Sequence, residues 1–232
     1  MKKRIKKGKF IVIEGIDGCG KGTQVELLRK RLIKNKFKVV IDDYPHYETS
    51  FWGEHVGRML AKEFGNPMEV SPYLTVLPYM NDEADGSRKI INPALEKGKL
   101  VLSNRFFTSN IHQIAKIELS KRASFAKWLW KAGYQEMGIT VPDLVIVLMV
   151  DPPICRDNVK KKAERKYTKG QVMDAAEEDF RHQMESAKEY KKMVKSNPKW
   201  WIMIDCCRSG KLMSPEEINE LIWQEMKARK VI

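Results

Sequence analysis

Phe10-Ile11-Val12-Ile13-Glu14-Gly15-Ile16-Asp17-Gly18-Cys19-Gly20-Lys21-Gly22-Thr23-Gln24 runs from an apolar segment through a glycine-rich turn and a lysine into a helical pattern. That is the order of a buried strand, a phosphate-cradling loop (P-loop) and a helix. Glycines let backbone N–H groups converge on phosphate oxygens, because a Cβ there would collide with the ligand. Lys21 supplies a point charge, and the helix opening behind it adds the positive end of its dipole. Gly15, Asp17, Gly18, Cys19, Gly20, Lys21, Gly22 and Thr23 are therefore the expected phosphate-binding residues. The usual pattern puts Ser or Thr directly after the lysine. Gly22 occupies that place here, so Thr23, or water, is expected to help place Mg²⁺. A bare glycine–lysine match is often only a turn; the strand before it and the amphipathic Val25, Leu28 and Leu32 after it argue otherwise.

With 232 residues, 43% of them hydrophobic, the chain suffices for one α/β domain with a substantial core. No apolar run approaches the ~18 residues of a membrane span, and the basic start lacks the apolar stretch of a signal peptide. Residues 1–8 are expected to be a flexible basic arm, 9–232 a single domain, and the location cytoplasmic. The net charge of +13 invites a nucleic-acid reading. Much of the excess, however, sits in the arm, at 160–169 and at 188–199. A lysine-rich lid over nucleotide phosphates explains the second cluster and solvated faces the others, so no nucleic-acid partner is expected. Cys19, Cys155, Cys206 and Cys207 have no zinc-type spacing.

Continuous apolar runs recur at 10–13, 39–41, 100–102, 144–150 and 200–204. They do not alternate with polar residues, so both faces should be buried, as in a parallel sheet covered by helices. Helical patterns occupy 23–35, 51–64, 71–97 (broken near Asp85-Gly86), 108–132, 152–162, 174–196 and 214–230. The last opens with Ser214-Pro215-Glu216-Glu217, a capping box with proline at the first helical position. This alternation implies a doubly wound α/β fold with ligands outside the carboxyl ends of its strands. Polar residues stand there: Asp42-Asp43-Tyr44-Pro45-His46-Tyr47, and Ser103-Asn104-Arg105 continuing to Lys116.

Taken together, Phe10 to Asp17, Asn104-Arg105-Phe106, Ser109-Asn110 with His112-Gln113-Ile114-Ala115-Lys116, Pro142-Asp143, Pro152-Pro153 and Glu164-Arg165-Lys166 resemble the thymidylate kinase family over nearly the whole chain. Asp174, Glu177, Asp179 and Tyr190 complete the pattern. The resemblance implies a three-layer P-loop nucleoside monophosphate kinase fold, a five-stranded parallel sheet flanked by helices, with a mobile lid at about 160–172. It implies transfer of the γ-phosphate of ATP to dTMP with Mg²⁺, and a homodimer formed through helices. A kinase for another nucleoside monophosphate, or a weakly catalytic nucleotide-binding module, is the alternative.

Lys21, Arg105 and Arg165 are the catalytic residues so implied. Arg105 would bridge donor and acceptor phosphates, or else be a surface arginine paired with a carboxylate. Arg165 would close over the transferring group, or else be part of a solvated charge run. Asp17, whose carboxylate near phosphates is repelled unless used, would contact the deoxyribose 3′-hydroxyl and, indirectly, Mg²⁺. Tyr79 would stack on thymine or serve as helix core. Ser109 belongs to the acceptor motif, and the amides of Asn110 and Gln113 can pair with thymine's acceptor and donor edge. His112 would wall the sugar's 2′ side or sit on a helix surface; Tyr44, Pro45 and Tyr47 would line the acceptor pocket, the proline being equally explained by turn chemistry. The chain departs from the family at Asn104, where aspartate is usual, at Glu83, where arginine is common, and at His46, where many relatives have arginine or glutamine. At Glu83, either Arg88 or Lys89 reaches in, or specificity has shifted.

Overall fold

The computed structural model describes residues 8–161 and 179–232. The non-alternating apolar runs form strands β1 (Lys9–Glu14), β2 (Val39–Asp43), β3 (Leu100–Asn104), β4 (Leu144–Met149) and β5 (Trp201–Asp205). They lie in the order β2-β3-β1-β4-β5, every pairing parallel. Central β1 is sealed on both faces: Phe10, Ile11, Val12 and Ile13 are all fully buried. Its register puts Ile13 beside Asn104, and Asn104 in turn beside Asp43, so three strand ends open side by side.

Helices flank the sheet: α1 (Lys21–Lys34), α2 (Phe51–Leu60), α3 (Pro72–Gly86), α4 (Asn92–Glu96), α5 (Ile111–Ala115), α6 (Arg122–Trp130), α7 (Pro152–Lys160), α8 (Phe180–Ser196) and α9 (Pro215–Ala228). This is the expected three-layer α/β fold. Helix α1 turns Val25, Leu28 and Leu32 inward and packs on the sheet and on α9, while α8 packs on α5, β4 and β5. The capping box is present: Ser214 Oγ accepts from the Glu217 amide, and the Glu217 carboxylate accepts from the Ser214 amide. Among the described residues no helix is long and apolar enough to cross a membrane.

The local expectations fare unevenly. The break expected near Asp85-Gly86 is where α3 ends, at Gly86; the chain then passes through a π-turn, Ser87–Ile91, into α4. Pro93 lacks the amide an α-turn needs and its ring would crowd the carbonyl four residues back, which the wider turn relieves. The single helix expected over 108–132 is instead a 3₁₀ turn (Phe107–Asn110), α5, a second 3₁₀ turn (Leu119–Lys121), α6 and a π-turn (Lys131–Glu136). Arg122 explains the break: its guanidinium donates to the carbonyls of Ala115 and Ile117 and is held by Glu185 and Glu189 of α8. A short hairpin, Cys207–Arg208 with Lys211–Leu212, was not anticipated; it turns at Ser209-Gly210, both at positive φ. Of the basic arm, Gly8 is buried and donates to the Leu95 carbonyl, while residues 1–7 lie outside the described residues. Apart from residues 160 and 161, so does the expected lid, and with it Arg165.

The loop leaving β2 is pinned to α3 by His46. Its Nε2 lies 2.8 Å from Asp42 and its Nδ1 3.0 Å from Asp82, which also accepts from the His46 amide and from Ser50 Oγ. Burial works against the imidazolium, but the hydrogen bonds and charges of Asp82 and Asp42 outweigh it and hold the pKa up at about 10. A pKa raised from 6.5 in the unfolded chain means stabilisation fully present below pH 6.5 and lost as pH rises through about 10. His46→Gln should therefore cost about 2–4 kcal/mol near pH 6. In thermal unfolding against pH, the gap between parent and variant should close between pH 7 and 10; a gap independent of pH would contradict the clamp.

Candidate functional site

The turn after β1 is shaped by what surrounds each glycine. An ideal Cβ on Gly18, where φ is +82°, would sit 2.0 Å from the Cys155 carbonyl oxygen of α7, so only glycine fits. Asn158 of the same helix donates to the Gly18 carbonyl at 3.0 Å. Beside Gly20 and Gly22 the corresponding space is open, as a phosphate cradle requires. Lys21 Nζ is folded back onto the loop, donating to the carbonyls of Gly15 at 3.0 Å and Ile16 at 2.9 Å. Gly15 and Cys19 are buried beneath this turn, whereas Gly22 and Thr23 are exposed.

A cavity of about 620 Å³ opens over the three strand ends. Asp17, Gly18, Gly20, Lys21, Gly22 and Thr23 line it, together with Tyr44, Pro45, Tyr47, Tyr79, Arg105, Ser109, Asn110, His112 and Gln113. All the expected site residues among the described ones reach this cavity except Gly15 and Cys19. Asp43 and Lys116, noted only as polar residues beyond strand ends, line it too, as do Met59, Leu60, Met68, Thr75, Asn158 and His182, which nothing local in the sequence singles out.

Arg105 leaves β3 at φ +62°, held in that left-handed conformation by its amide on the Ile13 carbonyl and its carbonyl on Ser103 Oγ. The turn swings its guanidinium onto Asp17 and, at 3.3 Å, onto Ser109 Oγ. Burial opposes the charge, but Asp17 and Glu14 more than offset it, so the pKa stays well above its usual range. Asp17 also accepts from Gln183 Nε2 at 3.0 Å, and its amide donates back to Gln183 Oε1 at 3.2 Å. Behind this pair lies Glu14, fully buried at the end of β1 and receiving Thr108 Oγ1, Ser109 Oγ and Tyr190 Oη at 2.6–2.8 Å. A buried carboxylate needs such donors, and a lone acid closing an apolar run is the signal that finds it.

On the acceptor side, Glu83 is buried against Asn110, whose Nδ2 lies 3.1 Å from both carboxyl oxygens. Burial, then the Asp82 charge, pushes the Glu83 carboxyl well above the usual carboxylate range. Arg88 and Lys89 do not reach in; both pair with Asp85 on the outer surface. Gln113 accepts from Thr75 Oγ1 at 2.8 Å. His112 faces His182 with ring centroids 5.7 Å apart. Burial lowers the pKa of both, that of His182 to about 4, so the pair is uncharged near neutrality. His112 Nε2 and Asn104 Oδ1 are buried without a hydrogen-bond partner among the described residues. Polar atoms left so in a cavity wall suit a polar ligand.

The arrangement offers a glycine-rich turn suited to anions, the cationic side chains of Lys21, Arg105 and Lys116, and a half-apolar recess in one cavity, the requirements of phosphoryl transfer between two bound molecules. The thymidylate kinase family model matches residues 13–216. A thymidylate kinase of Pelotomaculum thermopropionicum is 30% identical over 89% of this chain and 89% of its own length. One from Kosmotoga olearia is 31% identical over 93% and 94%, and one from a Thermoanaerobacter species 30% identical over 86% and 90%. With its fold, its P-loop and a match along most of its length, the chain belongs to the thymidylate kinase family.

Proposed function

We propose that the protein transfers the γ-phosphate of ATP to dTMP, giving dTDP and ADP. One observation carries the reading: the P-loop, Arg105 and a recess lined by Tyr79, Asn110 and Gln113 share one cavity. ATP phosphates fit the open side of Gly20 and Gly22, where loop amides, the α1 dipole and Lys21 supply compensating charge. Lys21 exchanges its loop carbonyls for phosphate oxygens. Arg105, freed from Asp17 by competing phosphate, neutralises charge between donor and acceptor, and Asp17 then turns to the sugar hydroxyl. Mg²⁺ bound with ATP would neutralise further phosphate charge, with Thr23 and Asp17 among the residues holding it. The role expected of Arg165, over the transferring group, falls outside the described residues. Cytoplasmic location and a homodimer belong to the same reading.

On the acceptor side, Tyr79 stacks on thymine, a contact of about 1–3 kcal/mol, and Gln113 and Asn110 address its edge. An uncharged Glu83 presents one O–H donor and one acceptor, the pattern of an amide, so the missing arginine is replaced by neutral pairing. His112, uncharged, lies against the sugar, and Tyr44, Pro45 and Ser109 complete the wall.

Lys21→Ala should lower kcat/KM at least ~10²-fold with the circular dichroism spectrum unchanged; surviving activity would refute the donor site. In a coupled assay of ADP release, dTMP should be the best acceptor and dUMP weaker by about 10–100-fold; equal turnover of all monophosphates would refute the acceptor site. Glu83→Gln should keep kcat/KM for dTMP in the same range. The parent's buried acid, with its raised pKa, loses stability as pH climbs above the unfolded carboxyl's value, whereas glutamine does not titrate. Glu83→Gln should therefore raise Tm more at pH 8 than at pH 5; a lower Tm at both would mean an ionised Glu83.

A further inference from the structure

We infer that Asp43, at the end of β2, supplies the carboxylate that faces the divalent cation accompanying ATP, with Asn104 as its holder. This rests on the donor-site reading above. Asp43 and Asn104 are direct neighbours across the β2–β3 pairing, both at the strand ends that open into the cavity. Asn104 Nδ2 donates to Asp43 Oδ1 at 2.8 Å, fixing the carboxylate beside the P-loop residues that line the same cavity. Asn104 Oδ1, buried, takes no hydrogen bond from the described residues. Held through Oδ1, the Asp43 carboxylate keeps its second oxygen as the hard ligand a divalent cation prefers.

Charge points the same way. A carboxylate opposite a polyphosphate repels it unless a cation lies between them. Asp17, the other acid beside the loop, keeps its bond from Gln183 and turns to the sugar hydroxyl once phosphate draws Arg105 away, so a further carboxylate is needed toward the cation. Position 104 itself is an uncharged amide, and Gly22, directly after the loop lysine, has no side-chain oxygen. On this assignment the carboxylate stands one strand across from residue 104, on the same rung.

The test is equilibrium binding of AMP-PNP to the full chain by calorimetry, with and without Mg²⁺, and Mn²⁺ electron paramagnetic resonance of the complex. The parent should bind AMP-PNP more tightly with metal. Asp43→Asn, isosteric and accessible, should lose about tenfold or more of that metal-dependent gain, while metal-free affinity stays equal or rises as a repelling charge is removed. Asn104→Asp should steepen the metal dependence by adding a second carboxylate. An unchanged metal dependence in Asp43→Asn, or an equal loss with and without metal, would overturn the assignment. A parent that binds no AMP-PNP under any condition would instead refute the donor site itself.

Discussion

Parallel pairing of β1 with β3, in the register that sets Ile13 beside Asn104, is the constraint on which the rest depends. It brings the P-loop, which leaves β1, against Arg105, which leaves β3, with Asp43 arriving from β2 on the next rung. Neither the loop nor the arginine could be aimed by local sequence alone. Arg105 holds a backbone conformation that a side-chain-bearing residue rarely adopts, and the neighbouring strand's carbonyl keeps it there. Central β1 is buried on both faces, so a slip in register would swap its side chains between two packed layers and force both to repack. Packing thus fixes the site's geometry.

Around that geometry the charges are balanced in pairs. Glu14 sits under the site with three hydroxyl donors, Asp17 is matched to Arg105, and Lys21 rests on loop carbonyls. Each cation therefore has a resting partner that phosphate oxygens can displace. In the recess the pattern inverts: Glu83, His112 and His182 are pushed toward their uncharged forms by burial. One end of the cavity suits a polyphosphate, and the other an uncharged base and sugar. His46 fastens the β2 loop to α3 and so sets the position of Tyr44 and Pro45.

Much of this was legible in the chain. Apolar runs without alternation announced the parallel strands, buried at β1, β3 and β4 and partly exposed at the edges, β2 and β5, and the Gly-Lys turn announced the loop that lines the cavity. What the sequence hid depends on contacts between distant residues. The helical periodicity of 108–132 is real, but nothing local reveals that Arg122, held by Glu185 and Glu189, caps α5 and ends it. That Glu83 turns inward to Asn110 while Arg88 and Lys89 stay with Asp85 likewise needs the π-turn and the packing of α3. Nothing local distinguishes Asp43 from the other polar residues around the end of β2; its pairing with Asn104 across β2–β3 does. Ser209-Gly210 was a readable turn signal, but strands of two residues carry no periodicity.

The most direct measurement is a crystal structure with AMP-PNP, Mg²⁺ and dTMP bound together. The account predicts the triphosphate on the Gly18–Thr23 turn with Lys21 drawn off its carbonyls, and thymine against Tyr79. Its monophosphate should lie within reach of Arg105. Triphosphate density elsewhere, with Lys21 still on Gly15 and Ile16, would contradict it.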